Sequence, residues 1–332
     1  MFNRAKNAKI SKFLTVISLL AAVLAGCGTS EQKITKTAFL LDTVVSVTAY
    51  DKNSEDIIDE CLDLCAEYEL MFSRTDPDSE LYALNAAGSA AVSDELLSVI
   101  KTALYYCELS GGRFDITMGG VSELYGFSTP SPTVPDPAEL EERLSHTGWE
   151  NIVIDGNTVT LTDPEAVIDL GAIAKGYIAD RLAELLVERG VTSAIIDLGG
   201  NILCVGSKPD GSDFKVGIQY PYEDTNTVIT SALLSDLSVV TSGVYQRYFQ
   251  ADGVTYHHIL DPDTGYPVRN GLLSVTIISE KSVDCDALST TVFALGLEEG
   301  MELVNSLDGV WAAFITEDFE IHYSQGFEET FG

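Results

Sequence analysis

From Asn151 onward the chain is a succession of short runs rich in Val, Ile and Thr, broken every few residues by Gly, Asp or Ser. These runs read as strands at 152–154, 158–161, 167–170, 193–197, 202–205, 214–219, 227–233, 238–241, 245–250 and 272–278, with a final pair at 310–315 and 319–323. Only two long helical patterns interrupt them, one from about Ile173 to Arg189 and stopped by Gly190, the other from Asp284 to Leu295. A doubly wound sheet needs a helix between successive parallel strands, and most of these runs follow one another too closely. The pattern predicts an α+β fold with mixed or antiparallel sheets and packed helices.

The first half is simpler. Residues 37–50 alternate and read as the first strand, and Ser54 then caps a helix to about Phe72 with Ile57, Cys61, Leu64, Cys65 and Tyr68 on its apolar face. Ser93-Asp94-Glu95 starts another helix, which stops at Gly111-Gly112. Four prolines between Ser128 and Pro137 mark a surface loop, and Asp136-Pro137-Ala138-Glu139 opens a short helix. No repeat and no interdomain linker is visible, so residues 37–332 are predicted to form one domain.

The N-terminus carries a different message. Arg4, Lys6, Lys9 and Lys12 precede an apolar run, Phe13 to Leu24, that is too short to span a bilayer. The run ends in Leu24-Ala25-Gly26-Cys27, which resembles the lipobox of bacterial lipoproteins. That resemblance implies a signal peptide over 1–26, a lipidated Cys27, a polar tether over 27–36, and a protein exported and anchored on the extracytoplasmic face. A net charge of −32 argues against a nucleic-acid partner and means that electrostatics would not hold the chain to anionic lipid. The odd set Cys61, Cys65, Cys107, Cys204 and Cys285 lies in apolar segments, with neither a disulfide framework nor zinc spacing, and reads as buried small side chains.

Four clusters place polar groups where a plain core element would not. In Asp169-Leu170-Gly171-Ala172-Ile173-Ala174-Lys175-Gly176-Tyr177 a strand turns into a helix whose N-terminal N–H groups and Lys175 suit a phosphate. Tyr256-His257-His258-Ile259-Leu260-Asp261-Pro262-Asp263-Thr264-Gly265 sets two of the chain's four histidines before a rigid turn, where one could take a hydroxyl proton. Asp286 and Thr290 are four apart on a helix and offer the oxygens a hard cation prefers, although capping alone would also favour acids at that helix start. The fourth cluster, Gly111-Gly112-Arg113-Phe114-Asp115, is a glycine turn delivering a cation, an aromatic and an acid; Asp197-Leu198-Gly199-Gly200-Asn201 and Thr241-Ser242-Gly243 are weaker companions. There is no G-x-G-x-x-G after the first strand, no Walker loop, no H-E-x-x-H and no G-x-S-x-G, which excludes the commonest nucleotide and hydrolase sites.

Taken in order, Gly-Arg-Phe-Asp, Asp-Leu-Gly-Ala-Ile-Ala-Lys-Gly-Tyr, Leu-Gly-Gly-Asn, Thr-Ser-Gly-x-Tyr-x-Arg, His-His-Ile-x-Asp-Pro-x-Thr-Gly-x-Pro and Asp-Ala-Leu-Ser-Thr resemble the FAD:protein FMN transferase (ApbE) family, over about Thr37 to Ile315. The resemblance implies that family's single α+β domain, which binds FAD without a Rossmann fingerprint. It implies an enzyme that uses Mg²⁺ to split FAD, releases AMP, and leaves FMN in phosphoester linkage to a threonine of an exported FMN-binding protein of membrane electron transport. By motif, Leu41, Arg113, Phe114, Asp115, Asp169, Lys175 and Ile259 would contact FAD. Asp286, Thr290 and the Ala172 carbonyl would hold the metal, and His258, with His257 as second candidate, would act on the acceptor hydroxyl. The chain departs from the family in having Leu41-Asp42-Thr43 for the usual Met-Gly-Thr, and Thr75 where an aromatic is usual. Two other functions fit the same residues: an exported Mg²⁺-dependent FAD pyrophosphatase releasing free FMN and AMP, and a non-catalytic flavin-binding lipoprotein.

Overall fold

The computed structural model describes residues 33–223 and 227–331. It opens with a hairpin, β1 (Ile34–Leu40) and β2 (Thr43–Ala49), where the sequence predicts one strand. Leu41 and Asp42 both have positive φ, 55° and 56°, as a two-residue type I′ turn requires. The reversal is hidden in the sequence because a leucine opens the turn instead of Gly or Asn. Its backbone N–H donates to the Glu69 carboxylate at 2.7 Å, which holds the unusual conformation in place. Residues 34–36, read as the end of the tether, belong to β1; Cys27 and the lipobox lie outside the described residues.

Helix α1 (Glu55–Phe72) follows and buries Ile58, Cys61, Cys65, Tyr68 and Phe72; Ile57 and Leu64 are only half-buried. A short helix that the sequence reading lacks, α2 (Glu80–Ala87), precedes β3 (Ser89–Ala91) and α3 (Asp94–Leu109), the latter capped by Ser93 as predicted. Two short helices, α4 (Gly119–Tyr125) and α5 (Pro137–Leu144), are followed by β4 (Ile152–Asp155) and β5 (Thr158–Leu161). Residues 167–170 are extended but form no strand. Besides a bridge to Met118 and an Asp169 N–H bond to the Ile116 carbonyl at 2.7 Å, they are held by the Asn85 side chain, which both donates to and accepts from the Ile168 backbone at 2.9 Å.

The second half supplies α6 (Ala174–Glu188), β6 (Ala194–Leu198), β7 (Asn201–Val205), β8 (Phe214–Gln219), β9 (Val228–Leu234), β10 (Ser238–Gly243), β11 (Tyr248–Ala251), β12 (Val254–His257) and β13 (Leu272–Ser279). Then come α7 (Ser282–Leu295), α8 (Leu297–Asn305), β14 (Trp311–Thr316), β15 (Ile321–Tyr323) and α9 (Phe327–Phe331). Among the described residues an eight-stranded sheet has the order β1-β2-β6-β7-β10-β13-β14-β15, antiparallel throughout, beside the smaller sheets β3-β5-β4, β8-β9 and β11-β12. The fold is α+β, as the run of short strands predicts. No described helix is long and apolar enough to cross a membrane, and the five described cysteines are free and buried.

Register brings the motifs to one end of the large sheet. Val45 faces Leu198 and Val240 faces Asn201, so the hairpin tip at 41–42, the Gly199-Gly200 turn and the Ser242-Gly243 end of β10 lie together. Gly199 has φ +68°, and a Cβ on it would meet Thr43 Oγ1 at 2.3 Å, so the two turns touch. Helix α7 packs between β10, β13 and α6. It is buried almost all round, and the polar side chains Ser282, Asp286 and Ser289 are hydrogen-bonded inside the fold. A second small core of Met118, Val121, Tyr125, Leu140 and Leu260 seats α4 and α5 beneath the 258–267 loop, where Tyr125 donates to the Gly265 carbonyl at 3.0 Å.

Candidate active site

The site begins where α6 crosses α7. A Cβ on Gly176 would lie 2.3 Å from the Ser282 carbonyl and 2.7 Å from Asp286 Cβ, so only glycine permits this approach. The Gly176 N–H donates to Asp286 Oδ2 at 2.8 Å. Gly176 is the third residue of α6, where N–H groups have no partner within the helix, and the carboxylate takes this one; Ala172 lies in the turn just before the helix. Asp286 is 4% exposed, and its other oxygen, Oδ1, has Lys175 Nζ at 4.0 Å. Thr290, one turn along α7, shares a 3.1 Å hydrogen bond with Ser242, which also bonds Ser289 at 2.8 Å. The Thr-Ser-Gly motif thus orients the hydroxyl of Thr290.

Asp180 has a structural task. Its carboxylate accepts the Ser282 and Val283 N–H groups at 2.7 and 2.9 Å, and so caps α7. Burial pushes its pKa up to about 6, against the lowering effect of those two bonds. Ser282 Oγ in turn donates to Asn201 Oδ1 at 2.7 Å, which ties the Leu-Gly-Gly-Asn turn to the same helix start.

Asp169 turns back on its own loop, accepting the Gly171 N–H at 2.8 Å and an N–H from Arg74 at 3.0 Å. Lys175 donates to the Gly171 carbonyl at 3.3 Å. Two cations therefore flank the Asp169–Lys175 turn in a strongly acidic chain. Arg74 is the residue sequence reasoning missed; its only signal is a lone basic side chain in the turn after α1.

The adjacent histidines separate cleanly. His257 ends β12, is 4% exposed, packs edge-on against Phe293, and uses Nε2 on the Val268 carbonyl at 3.0 Å. Burial, with Arg269 nearby, lowers its pKa to about 4. His258 is half-buried and leans Nδ1 on the Arg247 carbonyl at 3.3 Å, and among the described residues its Nε2 makes no hydrogen bond. Desolvation, then Arg247, His257 and Lys175, hold its pKa well below the usual histidine range.

Other predicted contacts are engaged elsewhere. The Phe114 ring is 3% exposed and packs against Tyr106. Asp115 accepts the Thr117 N–H and hydroxyl at 2.7 and 2.6 Å and the Trp149 N–H at 3.1 Å; burial still raises its pKa. Arg113 bonds Asp263 at 2.8 Å and lies 3.4 Å from Asp261, which braces the turn after the histidines. Ile259 is buried, its carbonyl accepting the Val268 N–H, and Leu41 packs partly against the main core.

Comparison with known proteins identifies the family and the fold. The model of the ApbE family matches residues 41–315. A FAD:protein FMN transferase of Treponema pallidum is 34% identical, the match covering 93% of each chain. One from Klebsiella pneumoniae is 34% identical over 86% of this chain and 89% of its own. Among solved structures, the ApbE protein of Thermotoga maritima superimposes with a TM-score of 0.84 at 34% identity, over 90% of this chain and 99% of that one. The flavin transferase ApbE of Vibrio cholerae gives 0.81 at 30% identity over the same shares.

Proposed function

Since the chain belongs to the ApbE family, we propose that it is an exported, lipid-anchored FAD:protein FMN transferase that depends on Mg²⁺. The observation that carries this reading is the meeting of a buried carboxylate, an oriented hydroxyl and a lysine where α6 crosses α7, at one end of the sheet. The donors fit the metal. Asp286 Oδ1, Thr290 Oγ1 and the Ala172 carbonyl are all oxygens, the set a hard divalent cation takes. When bound, Mg²⁺ would offset charge on the pyrophosphate and favour in-line displacement.

The chain's own residues do the rest. Lys175 and Arg74 attract a dianionic pyrophosphate that the overall charge of −32 would repel. Asp169, steadied by Arg74, faces the nucleotide from the turn. The acceptor threonine oxygen forms a bond to the FMN-side phosphorus while the bond to the AMP phosphate breaks, and AMP leaves. The hydroxyl proton passes to Nε2 of His258, which is neutral at physiological pH. Phosphate charge beside the ring raises its basicity when substrate is bound. His257, with Nε2 on Val268 and its ring in the core, holds the loop in place.

Export and anchoring rest on Leu24-Ala25-Gly26-Cys27. The acceptor is then an exported FMN-binding protein of membrane electron transport. The test supplies such an acceptor domain with FAD and Mg²⁺. A covalent FMN adduct on a threonine, with one AMP released, is expected by mass spectrometry; free FMN alone would identify water as the acceptor and overturn transfer.

A further inference from the structure

A second constellation lies outside the residues assigned above. Glu142, in α5, and His146, just after it, are one helical turn apart, and Glu165 approaches from the turn after β5. One side-chain ligand atom from each lies within 4.8 Å of the other two. His146 Nε2 is 3.6 Å from Glu142 Oε1, too long for a hydrogen bond and close to the roughly 3.4 Å that separates two ligands about 2.0–2.1 Å from a tetrahedral ion.

An independent feature concerns the other ring nitrogen. His146 Nδ1 is bonded to both oxygens of Asp163, at 2.9 and 3.1 Å, and Asp163 is itself fixed by the Glu165 N–H at 2.8 Å. A carboxylate on Nδ1 keeps the proton there and turns the Nε2 lone pair toward the two glutamates. That is the orientation a metal-bound histidine takes from its outer carboxylate.

We propose that Glu142, His146 and Glu165 form a structural site for a divalent transition metal such as Zn²⁺, with Asp163 as the orienting carboxylate. One imidazole among carboxylates favours Zn²⁺ over Mg²⁺ or Ca²⁺. In the unliganded chain Arg143 stands in for the ion, with Nη1 3.7 Å from Glu165 and Nε 4.0 Å from Glu142. It is half-exposed and can swing out. A bound ion would tie α5 to the segment that leads into Asp169. Because Leu140 of α5 lies under Gly265, it would also stiffen the support of the His258 loop. Glu142, Asp163, Glu165 and Arg143 are the charged groups facing the ring.

The test is calorimetric titration of the whole protein with Zn²⁺ in saturating Mg²⁺. One Zn²⁺ more should bind to wild type than to His146→Ala or to Glu165→Gln, the second variant altering only an exposed turn. Asp163→Asn should weaken that site about 10- to 100-fold, and Arg143→Met should tighten it. Equal stoichiometry and affinity in wild type and both ligand variants, each folded by circular dichroism, would overturn the proposal, as would no Zn²⁺ binding by the wild type.

Discussion

Gly176→Ala is the most direct test of how the fold builds its site. The new Cβ would sit 2.3 Å from the Ser282 carbonyl oxygen, and ordinary contact begins near 3.4 Å, so α6 and α7 must part by roughly 1 Å. The obstacle is backbone, so no side-chain rotation relieves it. Two effects oppose each other. Alanine favours the helix by about 1 kcal/mol over glycine. Overpacking against a rigid neighbour costs about 1–3 kcal/mol, and weakening the charge-assisted bond from the Gly176 N–H to Asp286 costs about 1.5–3 kcal/mol more. The clash and lost bond win, for a net loss of about 1.5–5 kcal/mol. Thermal denaturation by circular dichroism should show a drop of several degrees. The functional effect should be larger, because Asp286 moves with α7: a displacement of about 1 Å can cost on the order of 100-fold in rate. Single-turnover FAD cleavage across a Mg²⁺ titration is the assay, and the Mg²⁺ midpoint should rise as the rate falls. An unchanged melting temperature together with an unchanged Mg²⁺ midpoint would refute the claim that this crossing sets the carboxylate.

The histidines should respond differently. His258→Gln is expected to slow FMN transfer about 10²- to 10⁴-fold with FAD affinity retained, whereas His257→Phe should act mainly on stability; comparable losses of transfer at equal stability would contradict that division. The pH dependence has a definite sign. The His257 pKa is depressed to about 4, so its contribution is present above the unfolded value near 6.5 and is lost as pH falls toward 4, an acid lability of roughly 3 kcal/mol. His257→Phe should remove it in denaturant melts at pH 4.5 and 7. Asp180 works in the opposite direction: its pKa, raised to about 6, gives stability that is lost as pH rises from about 4 through 6, so Asp180→Asn should flatten that branch. Lys175→Ala should weaken FAD binding in fluorescence titrations, more at low than at high salt, and an unchanged dissociation constant would remove Lys175 from substrate capture.

Much of this protein is legible without coordinates. The close succession of short β-branched runs in the second half, with only two long helices among them, determines an α+β fold of antiparallel strands, because adjacent runs can pair by turns and leave no room for crossover helices. Asp136-Pro137 and Ser93 mark helix starts because capping is local chemistry. The ordered motifs also point to a family, because Gly176, Asp286 and Thr290 are required by contacts that any chain with this site must make. Tertiary structure alone decides the rest. The reversal at Leu41-Asp42 needs Glu69, from a helix that begins after the hairpin ends, to hold an unfavoured φ. Phe114 and Asp115 also acquire neighbours that their sequence spacing does not reveal, Tyr106 for the ring and Trp149 for the carboxylate. Two histidines alike in sequence become a buried ring held on the Val268 carbonyl and a half-buried one near the Arg247 carbonyl, because alternate residues at a strand end face opposite sides. Local propensities are written residue by residue; which side chain faces which is settled only when distant segments pack.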